Sequence, residues 1–223
     1  MRSCGRLFLF LLMAAFAVTA HVRAEGDPLF EVAFSNPGLV PAQWTLEFRP
    51  DGTGHFKTER GAAAQAEPGI EARDVDRDIQ LSAQFAAHVF EVAERKKLFK
   101  GGCESHLKVA FQGTKKLTYT GPAGQGTCEF NYAKDQEIQA LGDSLVSVAT
   151  TLIEGARLQA LLLHDRLGLD KETQVLVESA ADGRAKQICS IRDILERLAE
   201  DPAVLERVKR RARMLLTKAD SGA

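Results

Sequence analysis

The sequence predicts an α+β protein, with a small antiparallel sheet and one packed helix followed by an all-helical C-terminal region. Between residues 25 and 133, short segments alternate apolar and polar residues, as half-buried strands do. From residue 134 onward, apolar residues instead recur every three or four positions, which is the period of an amphipathic helix. The chain is therefore divided into residues 1–24, 25–133 and 134–223.

The first strands are indicated by alternation and by turn chemistry. Segment 44–48 alternates Trp, Leu and Phe with polar residues. The stretch 50–54, Pro-Asp-Gly-Thr-Gly, favours a turn, after which 55–58 can return as the partner strand. An earlier strand is predicted at 29–34. Residues 61–69 have no strand period and end in Pro-Gly, so they are predicted to form a loop.

A helix and three further strands complete this region. Ser82 is the expected N-cap of the helix, and the glycine pair at 101–102 is its expected stop. The strands are predicted at 103–111, 117–120 and 128–132. The first of them places its apolar residues on one face: Leu107, Val109 and Phe111.

Four helices are predicted in the C-terminal region, over residues 134–167, 171–181, 185–199 and 202–217. Gly155 is the expected kink of the first helix, because glycine lowers helix stability. Asp170 is the expected N-cap of the second helix. Asp201 followed by Pro202 is a favourable start for the fourth, since proline suits the first helical position.

The N-terminus has the organisation of a secretory signal peptide. Two arginines precede the apolar run 7–18, and Val22 and Ala24 are small residues of the kind that a signal peptidase accepts. The run has about 12 residues, whereas a membrane-spanning helix needs roughly 20. We expect an exported mature chain, periplasmic or secreted, with an uncleaved anchor as the alternative.

Cleavage is expected between Ala24 and Glu25, because the small residues at 22 and 24 match the peptidase requirement. N-terminal sequencing of the exported form checks this prediction and should begin at Glu25. A chain that keeps Met1 in the membrane fraction would contradict it.

Composition and charge narrow the functional classes. The 223 residues are 45% hydrophobic and 26% charged, which excludes a wholly disordered chain. Residues 1–24 contain three of the 29 basic residues and no acid, so the mature chain has 26 basic against 30 acidic residues and a net charge of −4. Neither the full chain, with a net charge of −1, nor the mature chain has the excess of basic residues that indicates a nucleic-acid partner.

The cysteines predict one disulfide. A strand at 103–111 followed by a turn near 114–116 would place Cys103 opposite Cys128, and such a pair oxidises outside the cytoplasm. Two reduced cysteines, as a catalytic or metal pair, are the alternative. Cys189 lies in a helical apolar pattern and is expected to be a buried free thiol, with intermolecular pairing or reactivity as alternatives.

No complete catalytic, metal or cofactor motif is present. Asp74, Asp76 and Asp78 begin like a calcium loop, but the glycine and glutamate that should follow are missing, so they are interpreted as a solvated approach to the helix. The histidines lack zinc-ligand spacing and are expected at the surface, with a spatial pair of His55 and His106 as the alternative. We predict a non-enzymatic protein without a cofactor or metal.

Two segments are candidate partner surfaces. The glycine-rich stretch 121–126 is expected to be a flexible hairpin loop, and the last helix is basic, with an expected Glu206–Arg210 pair. An anionic envelope surface is the alternative partner of that helix. The candidate contact residues are Gly121, Gly124, Gln125, Gly126, Arg207, Arg210 and Arg211.

The order of elements resembles small exported bacterial domains of unknown function and is similar to that of emfourin-type inhibitors of metalloproteases. The resemblance is carried by 44–48, 51–54, the helix ending at 97–99, and 107–119, and covers roughly residues 43–150. It implies a protein partner and, more narrowly, protease inhibition. We therefore predict an exported protein-binding module. The alternatives are an envelope-associated structural protein held by its basic C-terminal helix, and an unrecognised hydrolase.

Overall fold

The computed structural model describes residues 27–62 and 74–220. The predicted signal peptide, its cleavage site and most of the predicted loop at 61–69 lie outside the described residues. Within those residues the protein has one six-stranded antiparallel sheet and five α-helices, which confirms the α+β class.

The strands lie in the order β4-β3-β2-β1-β5-β6, and each pairs antiparallel with its neighbours. Their bounds are β1 Leu29–Ser35, β2 Gln43–Phe48, β3 Thr53–Glu59, β4 Asp76–Gln80, β5 Thr114–Gly121 and β6 Gly124–Phe130. The helices are α1 Ala83–Arg95, α2 Gln136–His164, α3 Leu169–Ala181, α4 Arg192–Glu200 and α5 Glu206–Asp220. Two short 3₁₀ turns, Lys97–Phe99 and Ile188–Ile191, precede β5 and α4.

The sheet buries one face, as the alternation predicts. Inward side chains of β1, including Phe30, are fully buried, whereas Glu31 and its neighbours on the other face are partly exposed. The Phe30 ring lies 6.1 Å from the rings of Phe90 on α1 and Phe99 in the first 3₁₀ turn. An aromatic cluster therefore joins the sheet to α1.

The predicted turn at 50–54 connects β2 and β3, and Asp51 Oδ1 accepts a hydrogen bond from Thr53 N at 2.9 Å. The sequence predicted a solvated segment before the helix at Asp74, Asp76 and Asp78. This prediction was wrong in part, because β4 pairs with β3 as an edge strand. Two of these aspartates belong to β4 and are exposed. Because charged side chains occupy alternate positions of β4, its sequence lacks the apolar alternation from which strands were predicted.

Helix α1 begins where predicted and ends earlier than predicted. Ser82 is its N-cap, with Oγ accepting from Phe85 N at 3.3 Å. The helix stops at Arg95, before the glycine pair, because Lys97–Phe99 adopts left-handed backbone angles. This turn buries Leu98 and Phe99.

The prediction of a strand at 103–111 was wrong. Glu104 makes a single bridge to Ala133, and residues 105–113 contain no strand. The hairpin partner of β5 is β6, and the turn between them holds only two residues. The predicted flexible loop at 121–126 is therefore mostly strand. Gly126 is required there, since a Cβ atom would lie 1.8 Å from the carbonyl oxygen of Leu98.

Helix α2 continues through Gly155, so the predicted kink was wrong. The glycine instead permits close packing, because a Cβ atom at this position would lie 2.4 Å from Cγ2 of Ile191. By length and hydropathy α2 is the one helix among the described residues that qualifies as a membrane span, but 50% of its most apolar window is buried inside the protein. Such burial is typical of a core helix.

The starts of two later helices also differ from the predictions. Gly168 is the N-cap of α3, and Asp170 lies in the first turn of the helix. Helix α5 begins at Glu206, well after Pro202, because the Asp201 carboxylate accepts from Ala203 N at 2.8 Å and closes a turn. Asp201 closes a turn before the helix, whereas Asp170 lies within α3 and bonds to arginines of α5.

The buried apolar side chains of the sheet and the helices form one contiguous cluster. Leu152 of α2 and Phe48 of β2, both fully buried, belong to it. The predicted division at residues 133 and 134 falls between β6 and α2 and coincides with the change from strand to helix.

Candidate functional site

An exposed apolar loop lies between the Cys103 disulfide and β5. We call residues 104–113 the apolar loop. Its side chains Leu107, Val109 and Phe111 are 62%, 43% and 58% exposed, and Tyr132 beside the loop is 38% exposed. Single exposed apolar side chains are ordinary, but three within five consecutive residues form a patch of the kind that marks a contact surface.

The Cys103–Cys128 disulfide attaches the start of the apolar loop to strand β6. The two Cα atoms are 5.6 Å apart, and both cysteines are buried. The predicted pairing is confirmed, but its geometrical argument was wrong. Cys128 lies opposite Leu117 in the hairpin, and Cys103 reaches it from a separate segment beyond the sheet edge.

Glu104 organises the first turn of the apolar loop. Its Oε1 accepts hydrogen bonds from Ser105 N at 2.8 Å and His106 N at 3.1 Å, and its Oε2 accepts from Asn131 N at 2.7 Å. The bond from Asn131 is the largest cause that lowers the pKa of Glu104 below its usual value. The ionised carboxylate therefore holds the loop to the chain that follows β6.

Asn131 holds the far end of the same loop. Its Nδ2 donates to Ala110 O at 3.1 Å, and its Oδ1 accepts from Gln112 N at 2.8 Å. Beneath it, the buried Lys115 donates from Nζ to Asn131 O at 3.3 Å. Burial lowers the pKa of Lys115, and Asp143 at 3.8 Å opposes this effect. The loop is thus anchored at both ends, which reduces the entropy lost on binding.

The segment that contains the apolar loop is strongly basic. Residues 95–116 hold seven basic residues and one acid, Glu104. Arg95 and Lys96 pair with acids at the start of α2, and Lys115 is buried. The remaining lysines of this segment are exposed: Lys97, Lys100, Lys108 and Lys116. We call these four lysines the basic strip.

The glycine-rich candidate surface has a packing role. Gly121 ends β5, and Gly124 opens β6 with φ of +115°. Gln125 is exposed on β6, and Gly126 lies under Leu98. Partner binding by these residues stays a prediction.

Two of the four arginines of α5 contact α3. Arg207 Nε lies 2.6 Å and Arg211 Nη1 lies 2.7 Å from Asp170 Oδ1. The hydrogen bond from Arg211 is the largest cause that lowers the pKa of Asp170. Glu206 pairs with Arg213 at 2.9 Å, so the predicted Glu206–Arg210 pair was wrong. Arg210 is exposed, and its role in partner contact stays a prediction.

His55 lies between two aspartates of β4. Its Nδ1 is 2.9 Å from Asp78 Oδ1, and its Nε2 is 3.0 Å from Asp76 Oδ1. The bond to Asp78 is the largest cause that raises the pKa of His55. His106 lies in the apolar loop beyond the other edge of the sheet, so the two histidines are not a pair. Within residues 27–62 and 74–220, no group of three or more metal-ligating side chains is positioned to hold an ion.

Cys189 is a free thiol, as predicted, and is half-buried. Its Sγ lies 3.6 Å from Gln187 Oε1 and 4.0 Å from Gln80 O, beside a groove of about 570 Å³ between β4 and α4. Burial raises the pKa of the thiol, which keeps it protonated and a weak nucleophile at neutral pH.

Sequence reasoning missed the apolar loop as a site, because it assigned the alternation at 107–111 to a strand. Comparison with known protein families found no family model that matches the chain. Comparison with curated proteins found no significant match either. The function is therefore argued from the geometry of the described residues.

Proposed function

We propose that this protein is an exported, non-enzymatic binding module, and that its apolar loop inserts into an apolar cleft of a protein partner. The observation that carries the proposal is the exposure of Leu107, Val109 and Phe111 on a loop that a disulfide and Asn131 hold at both ends. Exposed apolar side chains contribute binding free energy when a partner covers them. Because the loop is anchored at both ends, it loses less conformational entropy on binding.

Part of the loop backbone is available to main-chain partners. The N–H groups of Lys108 and Ala110 donate no hydrogen bond to a described residue, and the apolar side chains occupy alternate positions. A cleft that binds extended peptides supplies both main-chain partners and pockets for alternate side chains. Endopeptidases have such clefts. Protease inhibition is therefore the specific activity that we propose, in line with the resemblance to emfourin-type inhibitors.

Charge further defines the partner. The lysines of the basic strip lie before, within and after the apolar loop in the sequence. The rest of the chain has more acidic than basic residues. An acidic rim around the apolar cleft would complement it and accelerate association at low ionic strength. We therefore expect the association rate to fall with added salt more steeply than the dissociation rate changes.

Two features favour binding over the alternatives. No serine or cysteine of the described residues is hydrogen-bonded to a histidine, and the Cys189 thiol lies beside the carbonyl oxygens of Gln187 and Gln80. This argues against a hydrolase. Arg207 and Arg211 are engaged with Asp170, which leaves α5 less charge for an anionic envelope surface. An envelope-associated role thus has less support than a protein partner.

Site-specific crosslinking tests the proposed surface. A photoreactive amino acid replaces Val109 in one protein and Leu167, which is 85% exposed in the turn between α2 and α3, in a control protein. In the native envelope fraction, we expect a defined crosslinked partner from position 109 that excess wild-type protein prevents. Equal crosslinking from position 167 would contradict the assignment. Inhibition assays with metallo-, serine and cysteine endopeptidases then test the specific activity.

The double variant Leu107→Ser/Phe111→Ser should weaken partner binding at least about 100-fold, because each covered apolar side chain contributes roughly 1.5–3 kcal/mol. Its melting temperature should stay close to that of the wild type, since both side chains are largely exposed. Biolayer interferometry against the crosslinked partner measures the affinity. Leu167→Ser is the matched control and should bind normally. Undiminished affinity of the double variant would refute the proposed role of the loop.

A further inference from the structure

Two carboxyl groups face each other between α2 and α3. Glu172 of α3 is only 5% exposed, and its carboxyl lies in contact with that of Glu154 of α2. Arg157 Nε lies 3.2 Å from Glu172 Oε2. One oxygen of each carboxyl, Oε2 of Glu154 and Oε1 of Glu172, is buried without a hydrogen-bond partner among the described residues. Two acids therefore share a site with a single cation.

Such a pair retains one proton. Two ionised carboxylates in contact repel each other strongly where water is excluded, so one of them stays neutral. Arg157 is paired with Glu172, so the proton is placed on Glu154. Burial, followed by the contact with Glu172, raises the pKa of Glu154 to about 8. At neutral pH, Glu154 therefore donates a hydrogen bond across the helix interface.

The charges on neighbouring elements do not compensate the pair. On α5, Arg207 and Arg211 bind Asp170, which lies two residues before Glu172 on α3. On α2, Arg157 is the charged group that opposes the shift of Glu154. Helix α2 also contacts the residues just before the second 3₁₀ turn. This contact is an uncharged hydrogen bond, which Thr151 Oγ1 donates to Lys186 O at 2.7 Å.

We infer that Glu154 and Glu172 form a proton-operated latch, which holds α3 against α2 at neutral pH and loosens it in alkaline surroundings. Loss of the shared proton leaves two negative charges in the interface with only Arg157 to offset them. Water must then enter, or α3 must move outward together with α5, to which Asp170 ties it. An exported protein meets external pH directly, so the latch would respond to its surroundings.

The direction of the pH effect follows from the raised pKa. In the unfolded chain Glu154 has its ordinary value of 4.5, and in the folded protein about 8. Between these values the folded state binds the proton that the unfolded state has lost, and it must lose that proton as the pH rises. The contribution of the latch is therefore complete below pH 4.5 and is lost as pH rises through about 8.

Hydrogen exchange measured by mass spectrometry on the whole mature chain tests the latch. Between pH 6.5 and 9.5, protection factors over residues 169–181 of the wild type should fall by at least about tenfold after correction for intrinsic exchange. In Glu154→Gln, whose amide donates at every pH, they should stay level. Glu200→Gln, exposed on α4, is the control and should behave as the wild type.

Two results would overturn the latch: constant protection of α3 in the wild type, or a decrease in Glu154→Gln as large as in the wild type. If Glu154→Gln does not fold, Glu172→Gln replaces it and should reduce the response relative to the wild type, because Glu154 then lacks its repelling neighbour and only its burial remains. The buried Lys115 also titrates in alkaline solution, but it lies on β5, so exchange confined to α3 separates the two groups.

Discussion

Replacing Cys103 and Cys128 together with alanine should lower the free energy of unfolding by about 3–4 kcal/mol. The bond joins positions separated by 25 residues, so its removal frees that length of the unfolded chain. Alanine is preferred to serine, because both positions are buried and a hydroxyl would add a desolvation cost. Urea denaturation followed by far-UV circular dichroism measures the change.

The matched control for the disulfide is Cys189→Ala, which removes a half-buried cysteine that forms no disulfide. Its effect should be clearly smaller than that of the double variant. Equal losses in the two proteins would mean that the disulfide contributes little. Non-reducing peptide mapping of the wild type should recover a linked Cys103–Cys128 pair, and a linkage that contains Cys189 would contradict the structure.

Leu152→Ala should cost about 2–5 kcal/mol, because it leaves a cavity at a fully buried position of α2. The loss should appear equally in the sheet and the helices, since their buried side chains form one cluster. Trp44, the single tryptophan of the chain, reports on the sheet by fluorescence. Circular dichroism at 222 nm reports mainly on the helices, and both urea midpoints should shift together.

Leu163→Ala is the control on the same helix, because Leu163 is 61% exposed and should tolerate truncation with little loss. A Trp44 transition that stays in place while the helical transition moves would show that the sheet and the helical region unfold separately. That result would also favour a division of the chain near residues 133 and 134.

Local signals predicted several elements correctly. The alternation in 44–48 lies within β2, and Ser82 caps α1 through its own hydroxyl. Both depend on residues close in sequence: alternation places side chains on the two faces of a strand, and a cap needs a backbone N–H three residues later. The disulfide pair was also predicted correctly. The prediction rested on the expected export of the chain, and the hairpin register that was assumed for it is not the one observed.

Local sequence signals were insufficient where a strand needs a pairing strand that is distant in the sequence. Residues 107–111 alternate like a strand, but β5 already pairs with β1 on one side and β6 on the other, so no edge of β5 is free for them. Strand β4 shows the opposite case. Three aspartates at alternate positions made it look like a loop, yet the free edge of β3 accepted it. A strand exists only where a neighbouring edge is available.

The sequence by itself determined the α+β class, the periods of most strands and helices, and the net charge of the chain, because each depends on composition or on nearby residues. Only the tertiary structure decided which side chains stay exposed and which charges meet. Leu107 is exposed because its segment lies outside the sheet, and Asp170 binds arginines about 40 positions away in the chain. Burial and the Glu172 carboxyl, which α3 brings against α2, raise the pKa of Glu154. Burial and charge pairing depend on contacts between distant segments, and no local pattern encodes them.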